Sequence, residues 1–167
     1  KKYKNGNTLE NLKWGLIPEW VKNKDFKALI NARLETINEK ISFKKLIKDF
    51  RCVAIADGFY EWKREEKNKT PYYFFREDKK LIYFAGIYGG YRGELGVAIL
   101  TMEARPSLKE IHHRMPVIID ENTKDEWLNS KNFEFSVSRI SNLIETYEVS
   151  TYVNNPENDS ERCVKQT

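Results

Sequence analysis

Four short stretches of the sequence place polar side chains among apolar or aromatic ones, where their chemistry would be altered most. In Asp57-Gly58-Phe59-Tyr60-Glu61-Trp62-Lys63, an extended backbone sends Tyr60 and Trp62 to one side and Phe59 and Glu61 to the other. A carboxylate held among rings loses water, so its pKa rises and it is suited to passing protons near neutral pH. A half-exposed strand with Glu61 paired to Lys63 or Arg64 fits the same residues. In Leu29-Ile30-Asn31-Ala32-Arg33-Leu34-Glu35-Thr36, Asn31 and Arg33 follow an apolar pair. An amide there could orient a polar substrate and a guanidinium could hold a phosphate. The alternative is a turn or helix cap with Arg33 in a structural ion pair.

The third stretch, Ile111-His112-His113-Arg114-Met115-Pro116, contains both histidines of the chain. Adjacent histidines on a strand would face opposite ways, and no Cys or carboxylate stands nearby at a familiar zinc spacing, so no metal site is expected. One histidine remains as an acid, base or orienting group, or as a packing residue in a loop. The fourth feature is a basic and aromatic mixture. Lys1, Lys2, Lys4, Lys22, Lys24, Arg33, Arg114 and Arg139 could line a groove, with Trp14 or Trp20 stacking a splayed base. Lysines scattered over a solvated surface would read the same. Cys52 sits inside an apolar run and Cys163 in a polar, loosely ordered tail, and neither resembles an activated nucleophile.

The elements that must position these residues follow from periodicity. Phe43, Leu46, Ile47 and Phe50 mark one face of a helix led by Ser42. Arg51–Ala56 reads as a buried strand, Asp57-Gly58 as a turn or bulge, and Phe59–Lys63 as extended, before a charged hairpin tip at Glu65–Thr70. Pro71–Arg76, Leu81–Tyr88, Gly96–Met102 and Pro116–Ile119 read as further strands, with Gly89-Gly90 and Gly93 in a loop. Glu121–Leu128 is expected to be helical behind an Asp120 cap, and Phe135–Ile144 helical through Val137, Ile140 and Ile144. Tyr147–Val153 closes the series as a strand. Strands cluster rather than alternate with helices, so the expected class is α+β: a β-rich, mostly antiparallel, barrel-like sheet with short peripheral helices.

Length and composition bound the rest. The 167 residues fit a single domain spanning 1–167. Aromatics at 13% with a net charge of only +4 argue against intrinsic disorder. No apolar run approaches a membrane span, and two cysteines make no disulfide framework, which favours a reducing compartment. The chain opens on Lys1-Lys2-Tyr3-Lys4 without Met, as expected of a fragment or a processed product.

Taken in order, the segments Trp14-Gly15-Leu16-Ile17-Pro18, Asn31-Ala32-Arg33-Leu34-Glu35-Thr36, Ala56-Asp57-Gly58-Phe59-Tyr60-Glu61-Trp62, Ala85-Gly86-Ile87-Tyr88, Ile99-Leu100-Thr101, His112-His113-Arg114-Met115-Pro116-Val117 and Val153-Asn154-Asn155 form a series. The series resembles the SOS response-associated peptidase (SRAP) family, whose members shield abasic sites in single-stranded DNA. The resemblance implies a β-rich, barrel-like fold. It implies an N-terminal Cys, exposed by removal of the initiator Met, whose amine and thiol close a thiazolidine on the sugar aldehyde. By the same resemblance Asn31 holds the sugar and the amine, Glu61 moves protons, and His112 assists ring opening, strand-cleaving lyase chemistry and reversal of the link. Arg33 and Arg114 grip phosphates, and Trp14 and Thr101 line the DNA path. No cofactor is implied; the expected partner is single-stranded DNA containing abasic sites, and the protein is expected to be a cytoplasmic monomer with no membrane partner. The family's Met-Cys-Gly-Arg motif lies several dozen residues before the Trp-Gly segment, whereas thirteen residues precede Trp14 here and none is Cys. The expectation is therefore an SRAP-like domain lacking that segment. A non-covalent single-stranded DNA-binding module and a peptidase acting on other proteins are the rival readings.

Overall fold

A computed structural model of the chain describes residues 2–3, 6–23, 25–66, 68–91, 93–130 and 142–167. Chain contacts divide into two compact units, residues 1–55, 83–102 and 116–138 in the first and 56–82, 103–115 and 139–167 in the second.

The first unit is built on β8 (Ile82–Tyr91) and β9 (Glu94–Glu103), which pair antiparallel with Gly86 opposite Ile99 and Tyr88 opposite Val97. β5 (Arg51–Ala56) and β11 (Ile118–Ile119) join β8. β3 (Lys13–Trp14) and β4 (Asn31–Arg33) lie end to end along β9, both parallel to it. β1 (Lys2–Tyr3) and β2 (Gly6–Asn7) form a small separate ladder. Alternation along the strands decides which face is buried. Ala32, Ala85, Ile87, Ala98 and Leu100 turn into the main core, where they meet Leu16, Ile37, Phe43, Val117 and Trp127. Trp127 is 1% exposed, and its indole N–H donates to the Cys52 carbonyl at 2.8 Å. Burying an indole this fully requires such a partner.

Three helices belong to this unit: α1 (Ile41–Lys44), α2 (Leu46–Asp49) and α4 (Lys124–Asn129). The expected helix from Ser42 is thus two four-residue helices broken at Lys45. α4 starts later than expected, and Thr123 rather than Asp120 holds its cap position. Asp120 instead accepts from the Asn122 and Thr123 N–H groups, closing the turn ahead of the helix.

The second unit is a three-stranded antiparallel sheet ordered β12 (Ile144–Glu148), β7 (Asn68–Arg76), β6 (Gly58–Glu65). Its short helix α3 (Pro106–Lys109) precedes the histidines, and β10 (Arg114–Pro116) follows them. Gly58 is required by a close approach: a Cβ there would stand 2.4 Å from the Tyr73 ring and 2.5 Å from the Phe74 carbonyl oxygen.

The α+β, β-rich reading holds, with mixed sheets that are not closed into a barrel. Gly89 and Gly90 stay inside β8 rather than forming a loop, because β9 pairs with them through Tyr91 opposite Glu94. The expected terminal strand stops at Glu148, and Thr151–Asn154 is a 3-10 turn started by the Ser150 hydroxyl, which accepts from the Tyr152 N–H. Cys163 is buried rather than loosely placed, its thiol 3.4 Å from the Asn158 carbonyl. Lys1, Lys4, Lys24 and Arg139 lie outside the described residues, as does the expected helix up to residue 141. No described helix is long and apolar enough to cross a membrane.

Candidate functional site

In the first unit the expected residues gather on one strip. Trp14 pairs with Val97, Asn31 with Ile99 and Arg33 with Thr101. Register partners share a face, so Trp14, Asn31, Arg33 and Thr101 all project from the side opposite the main core. Asn31 and Arg33 stand two residues apart, roughly 6–7 Å along the strand. Ala32 between them is buried, and this fixes β4 so that its polar neighbours face outward. The strand presents them, and Arg33 at its end is also the cap position of a 3-10 turn, Leu34–Thr36, without a side-chain capping bond. The Trp14 indole N–H donates to the Ile30 carbonyl at 2.9 Å, yet 62% of the residue stays exposed, leaving an anchored ring with a free face. Thr101 is set deeper, at 9% exposure.

In the second unit the edge strand β6 positions Glu61. Phe59 stacks on the buried Phe74, ring centroids 4.8 Å apart, on the face that Glu61 shares. Glu61 is opposite Tyr72. Lys63, the ion-pair partner considered from sequence, is taken by Glu65 at 2.6 Å. The basic side chain that faces Glu61 is His112, with Nδ1 3.6 Å from Oε2. Burial pushes the Glu61 carboxyl above its ordinary range, and the attraction of His112 partly offsets that rise.

His112 is fixed by its surroundings. Its N–H donates to the carbonyl of the buried Leu108, and the His113 carbonyl accepts from Ala104. Nδ1 lies 3.0 Å from the Arg114 carbonyl and 3.3 Å from the Arg114 N–H. Unprotonated, Nδ1 accepts from the Arg114 N–H; protonated, it donates to the Arg114 carbonyl and leaves Nε2 a lone pair for work as a base. The two histidines do not sit on a strand with opposed rings. They occupy the connection into β10, and their rings come within 4.6 Å of each other at a 42° tilt. Among the described residues no cluster of three or more His, Cys, Asp or Glu could hold a metal ion.

The structure thus brings Glu61 and His112 together, and separately lines up Trp14, Asn31, Arg33 and Thr101; Arg114 adjoins His112 through its backbone. Sequence reasoning gave no role to Asn154, whose Oδ1 accepts from the Trp62 indole N–H at 2.7 Å and ties down the residue after Glu61. The Val153-Asn154-Asn155 segment was the available signal. Cys52 has its thiol pushed up to about 12 by burial, which removes it as a nucleophile.

The model of the SOS response associated peptidase (SRAP) family matches residues 1–156. The chain is 38% identical over 172 residues to abasic site processing protein YoqW of Bacillus subtilis (strain 168), covering 95% of this chain and 77% of that protein. It is 32% identical over 191 residues to abasic site processing protein HMCES of Gallus gallus, covering 93% of this chain and 56% of that protein. A crystal structure of a Bacteroides thetaiotaomicron protein superposes with a TM-score of 0.77 at 27% identity, over 93% of this chain and 75% of that one. A Bordetella bronchiseptica protein superposes with a TM-score of 0.71 at 23% identity, over 83% and 76%, which speaks for the fold. With most of its length matched by the family model and by relatives of this similarity, the chain belongs to the SOS response associated peptidase family.

Proposed function

We propose that this chain processes abasic sites in single-stranded DNA, working as a cytoplasmic monomer without a cofactor. The observation that carries the reading is the approach of His112 to a Glu61 carboxyl that burial has made a better proton carrier. The nucleophile of the reading is the family's N-terminal cysteine, which is not among the residues of this sequence.

The α-amine of that cysteine attacks the aldehyde carbon of the ring-opened sugar and forms a carbinolamine. Glu61 gives a proton to the hydroxyl, which leaves as water, and an iminium remains. The thiol adds to the same carbon and passes its proton to the Glu61 carboxylate left by the preceding step, and the thiazolidine ring is closed. An amine with a pKa near 8 is partly neutral at pH 7, so the first step needs little activation. Proton transfer by a positioned carboxyl is worth about 10²–10⁴-fold. Asn31 holds the sugar and the amine by its amide. His112 opens the sugar ring, supports strand-cleaving lyase chemistry and reverses the link. Arg33 and Arg114 hold the flanking phosphates, Trp14 stacks, and Thr101 lines the path. The peptidase activity is removal of the chain's own initiator Met.

The test is a denaturing gel of abasic single-stranded oligonucleotide incubated with the protein in two forms. One begins at Lys1, and the other carries the family's Met-Cys-Gly-Arg segment. Only the second is expected to yield a heat-stable adduct. An equally stable adduct from the first form overturns the cysteine mechanism. No adduct and no binding in either form overturns the abasic-site reading.

A further inference from the structure

The first unit carries a groove that the proposed chemistry does not use. It encloses about 400 Å³ between the Leu16–Trp20 segment, the α1 and α2 helices, and the ends of β8 and β9. Its wall is largely apolar, with Ile17, Pro18, Ile41, Leu46 and Leu95 and the rings of Phe50 and Tyr88 among the lining residues. Ile41 is 83% exposed and Trp20 57%, so apolar surface is left facing solvent at the rim. Apolar surface gathered in this way marks an interaction site.

The charge beside the groove is predominantly basic. Residues 39–49 include Lys40, Lys44, Lys45 and Lys48 against Glu39 and Asp49 at the two ends of the segment, a net excess of positive charge. All four lysines are exposed, and none takes part in the ion pairs found among the described residues. Lys45 itself lines the groove, and Glu19 is the acidic residue of the opposite wall.

We propose that the groove docks an acidic peptide segment of a partner protein, seating a bulky apolar side chain against Ile41, Leu46 and Leu95 while its carboxylates run over the lysines of α1 and α2. Glu19 would repel acidic residues on its own side, which sets the direction of the peptide. A base seeks a flat open aromatic face, whereas the lining rings Phe50 and Tyr88 engage each other edge-on with centroids 5.6 Å apart and Tyr88 is 8% exposed, so the hollow favours a side chain over a nucleotide. Trp20, the exposed ring of this rim, is engaged edge-on by Phe26 with centroids 6.3 Å apart.

The probe is a fluorescein-labelled peptide with a run of acidic residues followed by a leucine and a phenylalanine, titrated by fluorescence anisotropy at low and moderate salt. Binding is expected at low salt. It should weaken about tenfold or more in Ile41→Asp, the affinity equivalent of losing one buried aliphatic contact. Lys45→Glu should weaken it several-fold and flatten its salt dependence. A peptide with serines in place of the leucine and phenylalanine should lose most of its affinity. Both substituted side chains are exposed, and thermal melts of the variants establish that they fold. Absence of binding at low salt, or full affinity in folded Ile41→Asp, overturns the proposal. So does an oligothymidine of matched charge that binds more tightly than the peptide and is equally sensitive to Ile41→Asp, since the groove would then belong to nucleic acid.

Discussion

On the β3–β9–β4 strip Trp14 is 62% exposed and Asn31 and Arg33 are exposed as well, with Thr101 set deeper at 9%. In the second unit Glu61 and His112 keep 25% and 31% of their side-chain surface. The difference separates two kinds of work. An exposed guanidinium keeps its charge and acts at a distance through salt-screened attraction. A half-buried carboxyl on the strand face that also carries Phe59 has its proton affinity raised by burial, the change on which the proposed proton transfer rests. In the proposed reading, binding belongs with the first kind and proton transfer with the second.

The largest expected effect comes from breaking that separation at its chemical end. In the protein carrying the family's N-terminal cysteine, Glu61→Gln should slow adduct formation by about 10²–10⁴-fold. Its affinity for an uncleaved single strand should stay close to that of the parent. A rate unchanged within twofold, measured by quenched gel time courses, would place the proton carrier elsewhere.

The next effect concerns the supports of the two regions. Leu100 is fully buried on the core face of β9, between the strip positions Ile99 and Thr101. Leu100→Ala should cost about 2–5 kcal/mol by denaturant unfolding. Gly58→Ala should cost about 1–3 kcal/mol, because the new Cβ collides with the Tyr73 ring and the Phe74 backbone at the start of β6. A neutral Gly58→Ala would mean that β6 yields easily and that Glu61 is not rigidly placed.

Smaller still is the effect of Arg33→Ala. Removing one phosphate contact should lower affinity for single-stranded DNA similarly across sequences and reduce the salt slope by about 0.7. Adduct formation at saturating DNA should change little. Loss of rate with unchanged salt slope would move Arg33 from the binding strip to the chemistry.

The two regions were also unequally legible in the sequence. Arg51–Ala56 and the strands around Glu61 could be read from alternation and aromatic content, because each is long enough for a period to appear. β3 and β4 have two and three residues, too few to show a period, and their pairing with β9 depends on residues about 70 to 80 positions away. Asn31 and Arg33 could be picked as chemistry, but not as a strand. Glu61 was legible as a desolvated carboxyl, whereas its partner was not: Lys63 and Arg64 were nearer in sequence, and only the turn after α3 carries His112 to it. The histidine pair shows the same limit, since the opposed-ring argument held only for a strand and the residues form a connection.

The finest comparison uses pH to ask whether burial or His112 governs Glu61. Its carboxyl is raised above its ordinary range in the folded chain, with burial the larger influence and His112 pulling it back. The folded state therefore holds this proton to higher pH than the unfolded chain does. Stability attached to the group is fully present below the ordinary carboxylate range and is lost as pH rises toward the raised folded value. Glutamine at this position does not titrate and pays no such cost. Glu61→Gln should thus gain thermal stability relative to the parent as pH increases through that window, with the difference flat above it. Substituting His112→Asn in the parent should deepen the loss, because the attraction that restrains the rise is gone. A Glu61→Gln variant that instead loses stability across this window would show that the His112 contact outweighs burial. Glu61 would then be an ordinary ion-pair carboxylate, and the contrast between the two regions would collapse.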